Sequence, residues 1–200
     1  SKVIDLVTRR KGEMHVMETK GEMQHLEFEI PSRGLIGLRT QMLTATTGEA
    51  VMAHRFTEYK PWKGPIPGRN NGVLISKIQD KTTAYSIDKL QDRGTFFVDP
   101  AEDVYAGQIV AENVKPGDLI VNVTEQKKLT NHRASGSDAA TNIAPKTLLT
   151  LEECMEYIQQ DECIEVTPNF IRMRKVILNE EERKKVQKKM ETAIKKAVGK

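Results

Sequence analysis

The sequence predicts an α+β chain of two domains, and two observations carry that expectation. Over residues 1–64, stretches with apolar residues at helical spacing alternate with stretches of strand period. From residue 65 to 200, short β-type runs broken by turn residues are interleaved with two helical stretches. A length of 200 residues leaves room for two such units, and the apolar share of 38% is spread from end to end, so each can bury a core.

The elements follow in order. Ser1 is placed to cap a helix carrying Val3, Ile4, Leu6 and Val7 on one face, with Gly12 as its stop. Glu13 to Ile30 reads as a hairpin turning near Lys20-Gly21-Glu22, its second strand alternating Leu26, Phe28 and Ile30 with Glu27 and Glu29. Ser32 after Pro31 opens a helix with Leu35, Leu38, Met42 and Ala45 on one side, ended by Gly48. A strand over 50–57 closes the unit before the breaker-rich run from Lys60 to Gly68. The order is α-β-β-α-β, whereas a ferredoxin-like split unit runs β-α-β-β-α-β. The absent first strand would lie mid-sheet and leave backbone groups unpaired. The expectation is therefore a ferredoxin-like domain cut from a longer chain, its first strand supplied from outside the 200 residues.

Beyond residue 69, strands are expected at 72–78, 82–87, 95–99, 108–113 and 119–124, with turn residues between them, as in a small barrel or bent sheet. Residues 127–149 lack periodicity and read as one long loop. Thr150 and Glu153 form a capping box for a helix bearing Leu151, Cys154, Met155 and Ile158. Strands at 164–166 and 170–177 flank Pro168, and Asn179 caps a last helix with Glu180, Glu181 and Glu182 in its first turn.

Several functions are excluded by what the sequence lacks. It has no GxxxxGK[ST], GxGxxG, GxSxG or HExxH, and no paired carboxylates in an apolar setting, so catalysis and nucleotide binding are not expected of it. No metal is expected: the four histidines have no ligand spacing, although His15 and His25 could face each other across the hairpin. Two cysteines and no long apolar run predict a cytoplasmic chain that makes no membrane contact. The run Arg93-Gly94-Thr95-Phe96-Phe97-Val98 resembles an RNA-recognition signature but lacks two of its stacking aromatics and reads as a buried strand.

Charge placement points further than the net +3 does. Residues 127–151 hold 4 basic and 1 acidic groups, 152–165 hold 0 and 6, and 166–200 hold 11 and 4, an alternation that suits an anionic partner. The loop is the favoured site. Lys127, Lys128, Asn131, His132, Arg133, Ser135, Ser137, Asn142 and Lys146 combine cations with short amide and hydroxyl donors suited to phosphate and ribose, and Gly136 permits close backbone approach. Arg172, Arg174 and Lys175 form a second basic edge on a strand.

Residues 12–61 resemble the C-terminal ferredoxin-like domain of translational GTPases related to elongation factor G. The likeness is carried by Ile30-Pro31, Leu38-Arg39-Thr40, Thr47-Gly48, Phe56, Tyr59 and Pro61. Arg33-Gly34-Leu35-Ile36-Gly37 resembles the BipA/TypA branch, as do Arg69-Asn70-Asn71-Gly72, Lys89-Leu90-Gln91-Asp92-Arg93-Gly94, Leu129-Thr130-Asn131-His132-Arg133 and Glu165-Val166-Thr167-Pro168. The resemblance implies the C-terminal part of a ribosome-associated GTPase, with GTP bound by a domain upstream and no cofactor here. It implies contact with rRNA and the acceptor end of A-site tRNA through the 127–146 loop, roles in large-subunit assembly and in cold or stress growth, and a monomer. A regulatory small-molecule module and a free-standing single-stranded RNA binder are the alternatives.

Overall fold

The computed structural model describes residues 1–127 and 142–198. Its contacts divide the chain into two units: Ser1–Gly68 with Leu151–Tyr157, and Arg69–Thr150 with the residues from Ile158 onward. Residues 151–157 thus pack with the first unit, although the sequence reading grouped them with 65–200. The fold is α+β, with helices and small, mostly antiparallel sheets interspersed along the chain.

In the first unit, helix α1 spans Lys2–Arg9 and buries Val7. Strands β1 (Glu13–Lys20) and β2 (Met23–Glu29) form an antiparallel hairpin whose register pairs Lys20 with Met23, so the turn is Gly21-Glu22, with Gly21 at φ +66°. A bulge between Met14 and Val16 shifts the register, and His25 lies opposite Glu18. His15 and His25 therefore do not face each other. The expected single helix after Pro31 is two pieces: a 3-10 turn over Ser32–Leu35, then α2 over Leu38–Ala45. Gly37 separates them at φ +67°, a left-handed conformation that breaks a continuous helix.

Helix α4 (Leu151–Tyr157) supplies the reason for that break. Its Glu156 carboxylate accepts from Gln41 Nε2 at 2.9 and 3.0 Å and pairs with the buried Arg10 guanidinium. A Cβ on Gly37 would stand 2.2 Å from Glu156 Oε2. The family-like glycine is thus the space in which this carboxylate sits.

The expected strand over 50–57 does not form, and residues 49–70 contain neither helix nor strand. A strand is held by its neighbour, and among the described residues β1 and β2 pair only with each other. Side chains tie this segment back instead. Lys60 reaches Glu29 at 2.6 Å, Lys63 reaches Glu13 at 2.8 Å, and Arg33 bonds the Gly64 carbonyl and lies 5.1 Å from the Trp62 ring centroid.

The second unit is built on a mixed four-stranded sheet. Its strands are β3 (Val73–Ser76), β5 (Gly94–Phe96), β7 (Ile109–Asn113) and β8 (Leu119–Val121), in the order β5-β7-β3-β8. Only β3 and β8 run parallel, and β4 (Asp80–Lys81) pairs with β6 (Asp103–Val104) beside the sheet. Residues 82–87, expected as a strand, instead begin helix α3 (Ala84–Leu90). Thr83 Oγ1 accepts the Ser86 N–H at 3.1 Å, an N-cap that outweighs the β propensity of Thr82, Thr83 and Tyr85. Ile87 of α3 packs with Leu74, Phe96, Val98, Val110 and Val121, the unit's core. The signature-like Phe96 is 5% exposed and belongs to that core.

Strands β9 (Glu162–Val166) and β10 (Ile171–Lys175) form a hairpin that joins the start of β7, where the Lys175 N–H bonds the Gly107 carbonyl at 2.9 Å. Lys175, expected on an exposed basic edge, is 1% exposed. Its ammonium lies 2.5 Å from Asp118, 2.7 Å from Asp161 and 2.9 Å from Glu162, and Glu162 also takes both Arg69 nitrogens at 2.5 and 3.0 Å. Burial pushes the Glu162 carboxyl up, but hydrogen bonds from Arg69 and Lys175 outweigh it and hold the carboxyl below its ordinary range. Burial likewise opposes the Lys175 charge, and its three carboxylates raise it above the ordinary lysine range. The chain then enters α5 (Glu180–Val198), where Asn179 Oδ1 accepts the Glu181 N–H at 2.8 Å, the cap the sequence predicts.

Candidate nucleic-acid interface

Of the residues singled out in the sequence, Lys128, Asn131, His132, Arg133, Ser135, Gly136 and Ser137 lie outside the described residues. Lys127, Asn142, Lys146, Arg172 and Arg174 lie within them. The two feet of the 127–149 segment are fixed at opposite ends of α3. Upstream, the Glu125 carbonyl accepts from Thr83 Oγ1 at 2.5 Å and Ser86 Oγ at 2.8 Å. Downstream, Gln91 just past α3 donates to the Asn142 carbonyl at 3.2 Å and accepts the Ala144 N–H at 3.4 Å. Ile143 packs against the core, and the Thr147 N–H bonds the Phe96 carbonyl of β5 at 2.8 Å.

Lys146 is part of this anchoring. Its ammonium lies 2.8 Å from Asp99 and 3.1 Å from Glu102, and the Asp99 hydrogen bond leads in raising it above the ordinary lysine range. Arg172 and Arg174 sit two apart on β10 and so project from one face. The Arg172 guanidinium stacks 4.4 Å above the Phe170 ring. Arg174 lies 3.6 Å from Glu165 and donates to the Lys175 carbonyl at 3.2 Å. Tyr105 donates to the same Glu165 at 2.8 Å, and burial with that carboxylate pushes the phenol well above its ordinary range.

Cys154 is buried, its thiol pushed up by burial and by Glu153, which suits packing rather than nucleophilic chemistry. No group of His, Cys, Asp or Glu among the described residues is arranged to hold a metal. No described helix is long and apolar enough to cross a membrane.

Sequence reasoning missed that α3 roots the loop. The clue was Thr83 followed three residues later by Ser86, with Ile87 and Leu90 at helical spacing behind it.

The family model described as "TypA/BipA C-terminal domain" matches residues 71–180, more than half of the chain. The chain belongs to the TypA/BipA family. "Elongation factor G C-terminus" matches residues 1–69, so the two matches meet near the boundary that contacts set after Gly68. Relatives named "Large ribosomal subunit assembly factor BipA" agree along most of the chain. That of Bacillus subtilis (strain 168) is 45% identical over 193 residues, covering 96% of this chain and 32% of the relative. The Synechocystis sp. protein is 41% identical over 175 residues (86% and 29%), and that of Escherichia coli (strain K12) 42% over 185 residues (92% and 30%). The chain spans about a third of the length of the curated TypA/BipA relatives it matches.

Proposed function

We propose that this chain is the ribosome-binding C-terminal part of a BipA-type translational GTPase, a monomer of the cytoplasm that contacts rRNA and the acceptor end of A-site tRNA and serves large-subunit assembly and growth under cold or stress. GTP belongs to a domain upstream of these residues, and the chain itself takes part by binding. The observation that carries the reading is the loop rooted at both ends of α3, whose sequence from 127 to 149 holds Lys127, Lys128, Arg133 and Lys146 against Asp138 alone. Anchored feet fix where the segment's two ends leave the second unit. Cations on it exchange phosphate counterions for protein charge, so affinity falls as salt rises. Lys146 contributes by holding the downstream foot against Asp99 and Glu102, and Arg172 and Arg174 offer a second cationic face.

The test is association with ribosomes and with tRNA, measured by filter binding across a salt series. The Lys128→Ala, Arg133→Ala pair is expected to weaken binding and to flatten its salt slope by about two charges' worth, with folding unchanged. Parental affinity at both low and high salt would reject the loop as the contact.

A further inference from the structure

We propose that the outer face of α3, carrying Tyr85 and Lys89, is a stacking platform for an unpaired base of single-stranded RNA. This inference rests on reading the 127–146 loop as RNA-binding, and it adds a contact that the loop sequence does not contain.

Three observations converge on this face. Tyr85 is 37% exposed, although it stands between the capping Thr83 and the fully packed Ser86 and Ile87. Lys89, one helical turn on, holds its ammonium 5.9 Å from the centre of the Tyr85 ring. Both are beside the loop's upstream foot, because Ser86 and Thr83 grip the Glu125 carbonyl while Lys89 lies 3.5 Å from the Glu125 carboxylate.

An exposed ring with a cation over it, at the root of a basic loop, suits one ligand chemistry. Stacking needs a free base face, which a duplex keeps inside its own stack, so the partner is single-stranded. The ammonium over the ring gives way to the base and meets the phosphate next to it. The pair between Lys89 and Glu125 does not forbid this. Both side chains are largely in solvent, and an exposed pair of that length contributes little, so a phosphate can displace the carboxylate. The sequence-recognisable candidate ring, Phe96, is closed off in the core, whereas Tyr85 is open.

The experiment uses the 200-residue chain and a short single-stranded RNA carrying one 2-aminopurine, with the same strand annealed to its complement as control. Tyr85→Leu keeps apolar bulk and removes the ring, Tyr85→Phe keeps the ring, and thermal unfolding checks that each variant folds. Tyr85→Leu is expected to weaken single-strand binding about 5- to 100-fold and to abolish 2-aminopurine quenching, with duplex binding unchanged. Tyr85→Phe should bind within about twofold of the parent, since its face stacks as well. The proposal is overturned if Tyr85→Leu matches the parent, or if it weakens single strand and duplex alike. Should Tyr85→Leu match the parent while the Lys128→Ala, Arg133→Ala pair weakens binding, the loop reading stands and the platform alone is rejected. Should the loop pair bind like the parent, the reading beneath it fails, and the platform with it.

Discussion

Removing the Glu162 charge takes from Arg69 and Lys175 the one fully buried carboxylate they share, and breaking a buried pair costs far more than an intact pair contributes. Glu162→Gln is therefore expected to destabilise the second unit by about 3–5 kcal/mol in chemical denaturation at neutral pH. The pH dependence has a definite sign. A carboxyl held below its ordinary value of 4.5 stabilises the fold above that value, and the contribution is lost as pH falls through the lowered one. The gap between parent and Glu162→Gln should accordingly close below that pH. Lys175 works the other way: its contribution is complete below 10.5 and is lost only as pH rises through its raised value. A second expectation concerns glycine. Gly37 and Gly48 both hold positive φ, at +67° and +91°, so alanine strains either backbone. Only at Gly37 does the added carbon meet an atom, Glu156 Oε2, and nothing lies within 4 Å at Gly48. Gly37→Ala should lower the melting temperature well beyond Gly48→Ala.

At the scale of elements, α3 holds both the packing of the second unit and the root of the loop. Thr83→Ala removes an N-cap, worth about 1 kcal/mol, and releases one of the two hydroxyls on the Glu125 carbonyl. The expected result is a modest loss of stability with faster amide exchange at Ser86. Much of this level was legible beforehand. The alternation at Leu26 and Phe28, the Asn179 cap and the runs around Leu74 and Val110 each report a local rule that the fold obeys, although β2 ends at Glu29 and leaves Ile30 outside it. Three features were hidden because they depend on partners distant in sequence. Residues 50–57 have strand composition, but among the described residues no strand pairs with them. Lys175 looks like an edge lysine until Asp118, Asp161 and Glu162 gather round it. Gly37 looks like a helix position until Glu156 arrives from more than a hundred residues away. The candidate site was legible as composition, in the loop cations and amides, but the fixing of its feet on α3 and the engagement of Lys146 by Asp99 and Glu102 were not.

For the whole molecule, the sequence contains no phosphate cradle with its lysine, on which nucleotide hydrolysis by the wider GTPase class depends. Purified chain incubated with GTP and magnesium should release no phosphate above the buffer rate; turnover abolished by a substitution within these 200 residues would refute this. The placement of α4 has another consequence. The first unit consists of Ser1–Gly68 and a helix delivered after residues 69–150 of the second unit, which resumes at Ile158. Cutting the backbone once, between residues 64 and 68, leaves α4 covalently attached to the downstream piece while its packing partners Arg10 and Gln41 stay on the upstream one. The halves are thus built for fragment complementation: pieces ending and starting at that cut should copurify when expressed together, and Glu156→Ala should release one from the other.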